Sequence, residues 1–371
     1  MFSALDHLYM QRALHLAERG LYTTTPNPRV GCVIANQQQI VGEGAHLKAG
    51  EPHAEVFALR QAGELAKGAT AYVTLEPCSH HGRTPPCADA LLKAGVSKVI
   101  AAMVDPNPLV AGKGLAYLQA YGVETQYGLM EAQAKTLNPG FISRMVRNMP
   151  WVRCKIASSL DGKTAMENGH SQWITSDAAR LDVQHWRARS CAILTGIGTV
   201  LVDNPELTVR TSTDARQPLR VVADSQLRMP KDARITQNGD TLIVYAKDSL
   251  QHASYWVDQG VALLQAPDKH GQVCLDTLLR HLAQLQMNEV MVEAGQGING
   301  ALMAHQLVNE LLLYYAPKLM GGQAHNMLAM PSLTHMSQAI NLKVTDIRQL
   351  GADIRVLAIP EYPLMVFNDA D

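Results

Sequence analysis

The sequence predicts an α/β layer protein built as two successive domains, and three observations carry that reading. Aliphatic and β-branched runs alternate with stretches whose apolar residues recur at helical spacing, the pattern of strands and helices packed in layers. A short polar stretch, Arg144 to Asn148 followed by Met149-Pro150, interrupts the alternation, which restarts at Trp151. The chain of 371 residues is also too long for one ordinary domain, since about 150 residues per domain gives two or three. The boundary is therefore placed near residue 147, giving domains 1–147 and 148–371.

Taken in order, Ser3 with Asp6 three residues on forms a capping-box start for an amphipathic helix, and Gly20 is its predicted stop. Val30 to Ala35 and Ile40 to Ala45 read as paired strands around a turn at Asn36 to Gln39. A helix is expected from Pro52 to Ala66, with proline at a favoured first-turn position. Ala71 to Leu75 reads as a strand, Ala88 to Lys93 as the start of a helix, Lys98 to Met103 as a strand and Gly114 to Tyr121 as a helix. A short strand begins at Val123. Beyond the break, strands are expected at Trp151–Ala157, Ala192–Thr195, Leu219–Ala223, Thr241–Ala246, Glu289–Glu293 and Glu310–Ala316.

Composition excludes several classes. Hydrophobic residues make up 47% and charged residues 18%, which suits a folded interior and not a disordered chain. A net charge of −1 gives no general attraction to nucleic acid or anionic lipid. No apolar run reaches the ~18 residues of a membrane span, and the first residues lack the features of a signal peptide. Six cysteines are too few for a disulfide scaffold in a chain of this length. A reducing cytoplasmic setting is expected, where cysteines near histidines suggest a metal.

Three stretches of the first half fit that idea: His53-Ala54-Glu55, Glu76-Pro77-Cys78 and Thr84-Pro85-Pro86-Cys87. One imidazole and two thiolates leave a tetrahedral zinc one open position, the mark of a catalytic site. Water in such a position has its pKa lowered to about 7. Glu55 is not a natural fourth ligand. It can move protons beside the metal if the helix presents its first turn end-on, since residues two apart point about 200° from each other on a helix. Cys87 opens a helix, where the dipole favours a thiolate. A closed structural zinc with His80 or His81 as fourth ligand, or two buried free cysteines, are the competing readings.

His53-x-Glu55 with Pro77-Cys78 and Cys87 resembles the zinc-dependent nucleobase deaminases. The eight-residue loop between the cysteines and the upstream Pro26-Asn27-Pro28-Arg29-Val30-Gly31-Cys32-Val33 narrow the resemblance to the bifunctional deaminase–reductases of riboflavin biosynthesis. That resemblance implies a three-layer cytidine-deaminase-like first domain that releases ammonia from a phosphoribosyl diaminopyrimidine. It further implies that Asn27 and His46 contact the pyrimidine and ribose, and that Arg83 meets the phosphate. Read alone, Asn27 fits a Pro-Asn-Pro turn equally well.

In the second half, Gly295-Gln296-Gly297-Ile298-Asn299-Gly300 matches a phosphate-binding Gly-x-Gly-x-x-Gly turn between an expected strand and helix. No acidic residue follows at the distance that an ordinary dinucleotide fold uses for ribose. Gly, Thr, Ser and Asp at successive strand ends are nonetheless what a nucleotide cleft requires. The blocks Lys155 to Ala165, Ser171 to Ser176, Thr195 to Pro205 and Leu207 to Arg210 resemble the reductase half of the same enzymes, which implies a dihydrofolate-reductase-like fold and NADPH. By that resemblance Ala157, Trp173, Thr199, Asp203 and Ser225 line the coenzyme site, and Gly295 to Ala301 hold its diphosphate. Ser171, Arg187, Leu207, Arg210 and Glu293 would hold the substrate. Lys155 and Asp161 are both candidates for polarising the carbonyl. On residue type alone, Trp173 could be core and Arg187 a solvated helix face. Two other readings are a nucleic-acid base deaminase with an appended binding domain, which would want a basic stripe, and a non-enzymatic zinc-stabilised regulator. A small-molecule phosphoribosyl pyrimidine is the expected partner, with no nucleic acid and no membrane, and a homo-oligomer is expected from size.

Overall fold

The computed structural model describes residues 1–79, 86–108, 110–211, 215–237 and 239–363. The chain forms two compact units. The first is Met1–Pro150 together with Ala283–Asn288, and the second is Trp151–Leu282 with the chain from Glu289 onward. Among the described residues no helix is long and apolar enough to cross a membrane.

The first unit runs α1 (Ala4–Glu18), β1 (Gly31–Asn36), β2 (Gln39–Ala45), α2 (Ala54–Ala62), β3 (Thr70–Val73), α3 (Cys87–Lys93), β4 (Lys98–Ala101), α4 (Lys113–Ala120), β5 (Glu124–Tyr127), α5 (Glu131–Leu137) and α6 (Pro139–Arg147). Its sheet has the order β2-β1-β3-β4-β5. β1 is antiparallel to both neighbours, and β3, β4 and β5 are mutually parallel. The expected capping box opens α1: Asp6 N–H donates to Ser3 Oγ at 3.1 Å and Ser3 N–H to Asp6 Oδ2 at 2.7 Å. The hairpin turn places Gln37 and Gln38 at φ 48° and 65°, a geometry that matches the twist of the flanking strands. Met10 and Ala13 of α1, Cys32, Val33 and Ile34 of β1 and Val99 and Ile100 of β4 are fully buried in one core.

Two expectations need correction. The helix predicted from Pro52 begins at Ala54, with His53 an extended N-cap and a 3₁₀ turn over Gly63–Ala66. His53 is still extended (φ −74°, ψ 166°), so Pro52 stands one residue before the N-cap and not in the first turn. α5 and α6 occupy the segment in which the sequence showed only a strand and a polar break.

The second unit runs β6 (Trp151–Ser159), β7 (Lys163–Ala165), α7 (Asp177–Arg189), β8 (Ala192–Gly196), α8 (Ile197–Asp203), β9 (Leu219–Ala223), β10 (Thr241–Tyr245), α9 (Ala253–Asp258), β11 (Ala262–Gln265), α10 (Leu275–Gln284), β12 (Glu289–Val292), α11 (Gln296–Ala304), β13 (Glu310–Ala316), β14 (His325–Asn326), β15 (Asn341–Leu350) and β16 (Asp353–Glu361). The main sheet is ordered β11-β10-β9-β8-β12-β6-β13-β16-β15. It is parallel from β11 to β13 and ends in an antiparallel hairpin. Parallel order aligns the carboxyl ends of β6, β8, β9 and β12, where ligands of open sheets sit.

α7 packs Ala179 and Val183 on Met291, Leu312 and Tyr314 of the sheet. Beside it, the buried Arg153 guanidinium lies between Glu289 (3.1 Å) and Glu310 (2.5 Å), 4.5 Å from the centre of the Trp186 ring. Such a buried group is retained only when its donors are satisfied. This anchors the helix that carries Arg187.

Candidate functional sites

In the first unit the N-terminus of α2, the segment after β3 and the N-terminus of α3 converge. His53 Nδ1 lies 3.2 Å from Cys87 Sγ and 3.7 Å from Cys78 Sγ. The ligand atoms of these three residues all lie within 4.8 Å of one another. Zinc–sulfur bonds of about 2.3 Å and zinc–nitrogen bonds of about 2.0–2.1 Å at tetrahedral angles place N and S roughly 3.6 Å apart, so the donor set and its spacing fit zinc. Cys87 N–H points at Cys78 Sγ over 3.4 Å. The Cys78 thiol is held below its ordinary range by its hydrogen bond with Cys87 and, against an opposing effect of burial, by His53. A lowered thiol pKa favours the thiolate that binds metal.

Glu55 is 3% exposed. It occupies the first turn of α2, where the Cys87 side chain acts on its carboxyl. Burial pushes its carboxyl up, so it is suited to hold a proton. Because His53 is not helical, the two side chains escape the opposed directions that a regular helix would impose. His46 completes the wall. Its Nδ1 meets the Pro52 carbonyl at 3.2 Å, its Nε2 meets Asn27 Nδ2 at 3.1 Å, and its ring stands edge-on to His53 at 5.3 Å. Carbonyl and amide together select the neutral tautomer protonated on Nδ1, and burial lowers the His46 pKa in the same sense. Arg83, like His80 and His81, lies outside the described residues.

The second unit holds a cleft of about 1790 Å³ over the carboxyl ends of the parallel strands. Lys155, Ala157, Ser171, Trp173 and Arg187 line it. So do Thr199, Asp203, Leu207, Arg210 and Ser225, and Glu293 with Gly295 to Ile298 and Ala301. Gly295 is the N-cap of α11, and the helix starts at the cleft. Asn299 and Gly300 are not on the cleft wall. Asn299 Nδ2 donates to the Ala294 carbonyl at 3.1 Å, and a Cβ on Gly300 would stand 2.1 Å from the Ala329 carbonyl oxygen. The third glycine of the motif therefore serves close packing.

Three charges meet at the cleft's inner end. Glu293, just after β12, accepts from Arg187 Nε at 2.6 Å and Nη2 at 3.0 Å, with Lys155 Nζ at 3.8 Å. Burial alone would raise the Glu293 carboxyl, but Arg187 and Lys155 outweigh it and hold it low. Burial pushes the Lys155 ammonium down, partly offset by Glu293. Arg187 is 11% exposed and is no solvated helix face. Trp173 is no core residue: it is 65% exposed, with the Arg180 guanidinium 4.5 Å from its ring centre. Lys318 Nζ donates to the carbonyls of Trp173 (3.0 Å) and Ile174 (2.9 Å).

Asp161 is engaged elsewhere. Its carboxylate accepts from the Ser159 hydroxyl at 2.5 Å and from the N–H groups of Met320 and Gly321 at 3.0 and 2.8 Å. Those bonds, the Ser159 hydroxyl first, hold its pKa down at about 2, and Asp161 is not among the cleft-lining residues. The stabilisation is present above the ordinary aspartate pKa and is lost as pH falls toward about 2. The protection of the Met320 and Gly321 amides, taken relative to their intrinsic exchange rates, is expected to fall as pH drops through that window, and an Asp161→Asn variant should show the lower protection already at neutral pH. Unchanged protection would contradict the cap. Sequence reasoning missed Arg180, Arg228, Arg234 and Gln272, which also line the cleft. Arg180 lies in the first turn of α7 and Arg234 opens a 3₁₀ turn, while Arg228 and Gln272 sit in loops with no periodic signal; only the strand ends around them could have suggested them.

Comparison with known proteins agrees with both geometries. Residues 3–103 match the cytidine and deoxycytidylate deaminase zinc-binding region, and residues 150–356 match the RibD C-terminal domain. The riboflavin biosynthesis protein RibD of Escherichia coli (strain K12) is 50% identical over 362 residues, covering 94% of this chain and 98% of its own. That of Haemophilus influenzae is 46% identical over 380 residues, covering 97% and 99%. A solved structure of Acinetobacter baumannii RibD superposes with a TM-score of 0.90 at 48% identity, covering 96% of this chain and 99% of that one. A Thermotoga maritima structure, titled a diaminohydroxyphosphoribosylaminopyrimidine deaminase/5-amino-6-(5-phosphoribosylamino)uracil reductase, gives 0.86 at 32%, with the same coverage. With a cytidine-deaminase-like zinc-binding unit followed by a dihydrofolate-reductase-like unit, the chain belongs to the RibD family of bifunctional deaminase–reductases of riboflavin biosynthesis.

Proposed function

We propose that the first domain, residues 1–147, hydrolytically deaminates the diaminohydroxyphosphoribosylaminopyrimidine, and that the second, residues 148–371, reduces the ribosyl chain of 5-amino-6-(5-phosphoribosylamino)uracil to ribityl with NADPH. The observation that carries this reading is the buried Glu55 carboxyl set against the His53–Cys78–Cys87 triad. Bound zinc supplies Lewis acidity that lowers the pKa of water to about 7, and bound NADPH supplies a hydride.

The protein's own residues do the rest. Glu55 takes a proton from the attacking water and returns one to the departing amino nitrogen. A C–O bond forms, the C–N bond breaks, and ammonia leaves. Asn27 and His46 orient the pyrimidine and ribose, and Arg83 meets the phosphate. In the second unit Lys155 polarises the bond that accepts the hydride and gives up the matching proton. Glu293 keeps Lys155 and Arg187 in place, and Ser171, Leu207 and Arg210 hold the sugar phosphate. Ala157, Trp173, Thr199, Asp203 and Ser225 take the coenzyme, with its diphosphate at Gly295 to Ile298 and Ala301; Asn299 and Gly300 support that turn from behind.

The choice of NADPH over NADH is supported by the loop after β9. Its carboxylate, Asp224, is turned inward to accept from Met229 N–H at 2.8 Å, while Ser225 and Arg228 line the cleft. A homo-oligomer is supported by β15, a ten-residue outer strand whose Val344 and Ile347 are exposed. All six cysteines are free, consistent with a reducing cytoplasm.

The test is an order-of-addition assay. Zinc-loaded protein should release ammonia from the aminopyrimidine without coenzyme, and NADPH should then be oxidised only after ammonia has accumulated. NADPH oxidation without prior ammonia release, or no ammonia at all, would overturn the reading.

A further inference from the structure

We propose that Glu76 is the positioning residue of the zinc site: its carboxylate ties the segment bearing Cys78 to the start of α4 and so sets the place of that sulfur. The proposal rests on the reading of His53, Cys78 and Cys87 as zinc ligands.

Glu76 is 4% exposed, and four backbone N–H groups of the described residues converge on its carboxylate. Oε2 accepts from Asp105 N–H at 3.0 Å and Gly112 N–H at 2.9 Å. Oε1 accepts from Gly114 N–H at 2.8 Å and Leu115 N–H at 3.3 Å. Three of these donors belong to the N-cap and first turn of α4, whose amides would otherwise lack partners. The backbone of Glu76 is fixed as well, its N–H donating to the Met103 carbonyl at 3.0 Å. Two residues later comes Cys78.

The intervening residue is gripped from the same side. A Cβ on Gly114 would stand 1.9 Å from the Pro77 carbonyl oxygen, so the first turn of α4 lies directly on the Pro77 peptide. Downstream, Ala88 N–H donates to the Cys78 carbonyl at 3.1 Å. Cys78 is thus held between a carboxylate anchor on one side and the α3 N-terminus on the other. Only an acceptor with two anionic oxygens serves all four donors at once. A glutamine has nearly the same shape, but its NH₂ would face N–H groups and leave that arm unsatisfied. Nothing in this arrangement requires Glu76 to touch substrate.

The experiment measures zinc affinity of the full chain by competition with a chromogenic chelator, comparing wild type with Glu76→Gln and Met10→Ala. Met10 is fully buried in the core of the same unit but lies on α1 and carries no part of the site, so its truncation reports instability alone. Glu76→Gln is expected to bind zinc about tenfold or more weakly, as for lost supports of metal ligands elsewhere, and to alter the thiolate–cobalt absorption of the cobalt-substituted protein. Met10→Ala should keep both. Glu76→Asp retains the charge and is expected to fall between; it is read by the same criterion if the glutamine variant does not fold. Unchanged affinity and spectrum in the Glu76 variants, or an equal loss in Met10→Ala, overturns the proposal. A wild-type chain that binds no zinc defeats the underlying site assignment instead.

Discussion

Glu55→Gln is expected to abolish ammonia release while leaving zinc bound and leaving NADPH oxidation intact on supplied deaminated substrate. The glutamine amide fits the same buried space in the first turn of α2, so neither fold nor ligand geometry should change. It cannot take a proton from water or deliver one to the leaving nitrogen, and positioned proton transfer contributes about 10²–10⁴ in rate. Zinc content, ammonia release and NADPH oxidation on one preparation check this. A variant that still releases ammonia at the wild-type rate would remove Glu55 from the mechanism. A wild type without deaminase activity would favour the regulator reading.

Lys155→Met is expected to lower kcat of the reductase by about 10²–10³, the loss typical when one donor to a developing charge is removed, with little change in KM for NADPH. Lys155 and Glu293 share the inner end of the cleft with Arg187, so methionine removes the proton donor while the Glu293–Arg187 pair remains. The pH profile gives an independent reading. The ammonium is the active form, so activity falls as pH rises through the lysine pKa, which burial moves below its ordinary value. Lys155→Arg should shift that basic limb upward, because a guanidinium stays charged. A limb that persists unmoved in the arginine variant would assign the proton to another group.

The fold was readable where local chemistry and burial agree. The Ser3–Asp6 cap, the strands at Leu219–Ala223 and Glu310–Ala316 and the glycine turn after β12 each combine a local signal with a continuous apolar run. It was not readable where the signal is weak or comes from elsewhere in the chain. β15 is exposed along nearly its whole length, so its residues carry no buried-strand pattern, and a register shift near Thr345 breaks its alternation. The zinc triad was legible because its residue types are rare together. The supports around it were not: Glu76 reads as an ordinary acidic residue until four amides converge on it. Asp161 shows the converse. Residue type and position made it a catalytic candidate beside Lys155, but the folded chain spends its carboxylate on Ser159, Met320 and Gly321. Asn299 and Gly300 likewise fall in a binding motif whose helical phase turns them away from the cleft.

X-ray absorption at the zinc edge on the purified full-length chain tests the central claim most directly. The account predicts one zinc per chain bound by two sulfurs at about 2.3 Å and one imidazole nitrogen at about 2.0–2.1 Å, with a single further light atom that exchanges with added ligand. A site closed by four protein ligands, a disulfide between Cys78 and Cys87, or a chain that carries no zinc would contradict it.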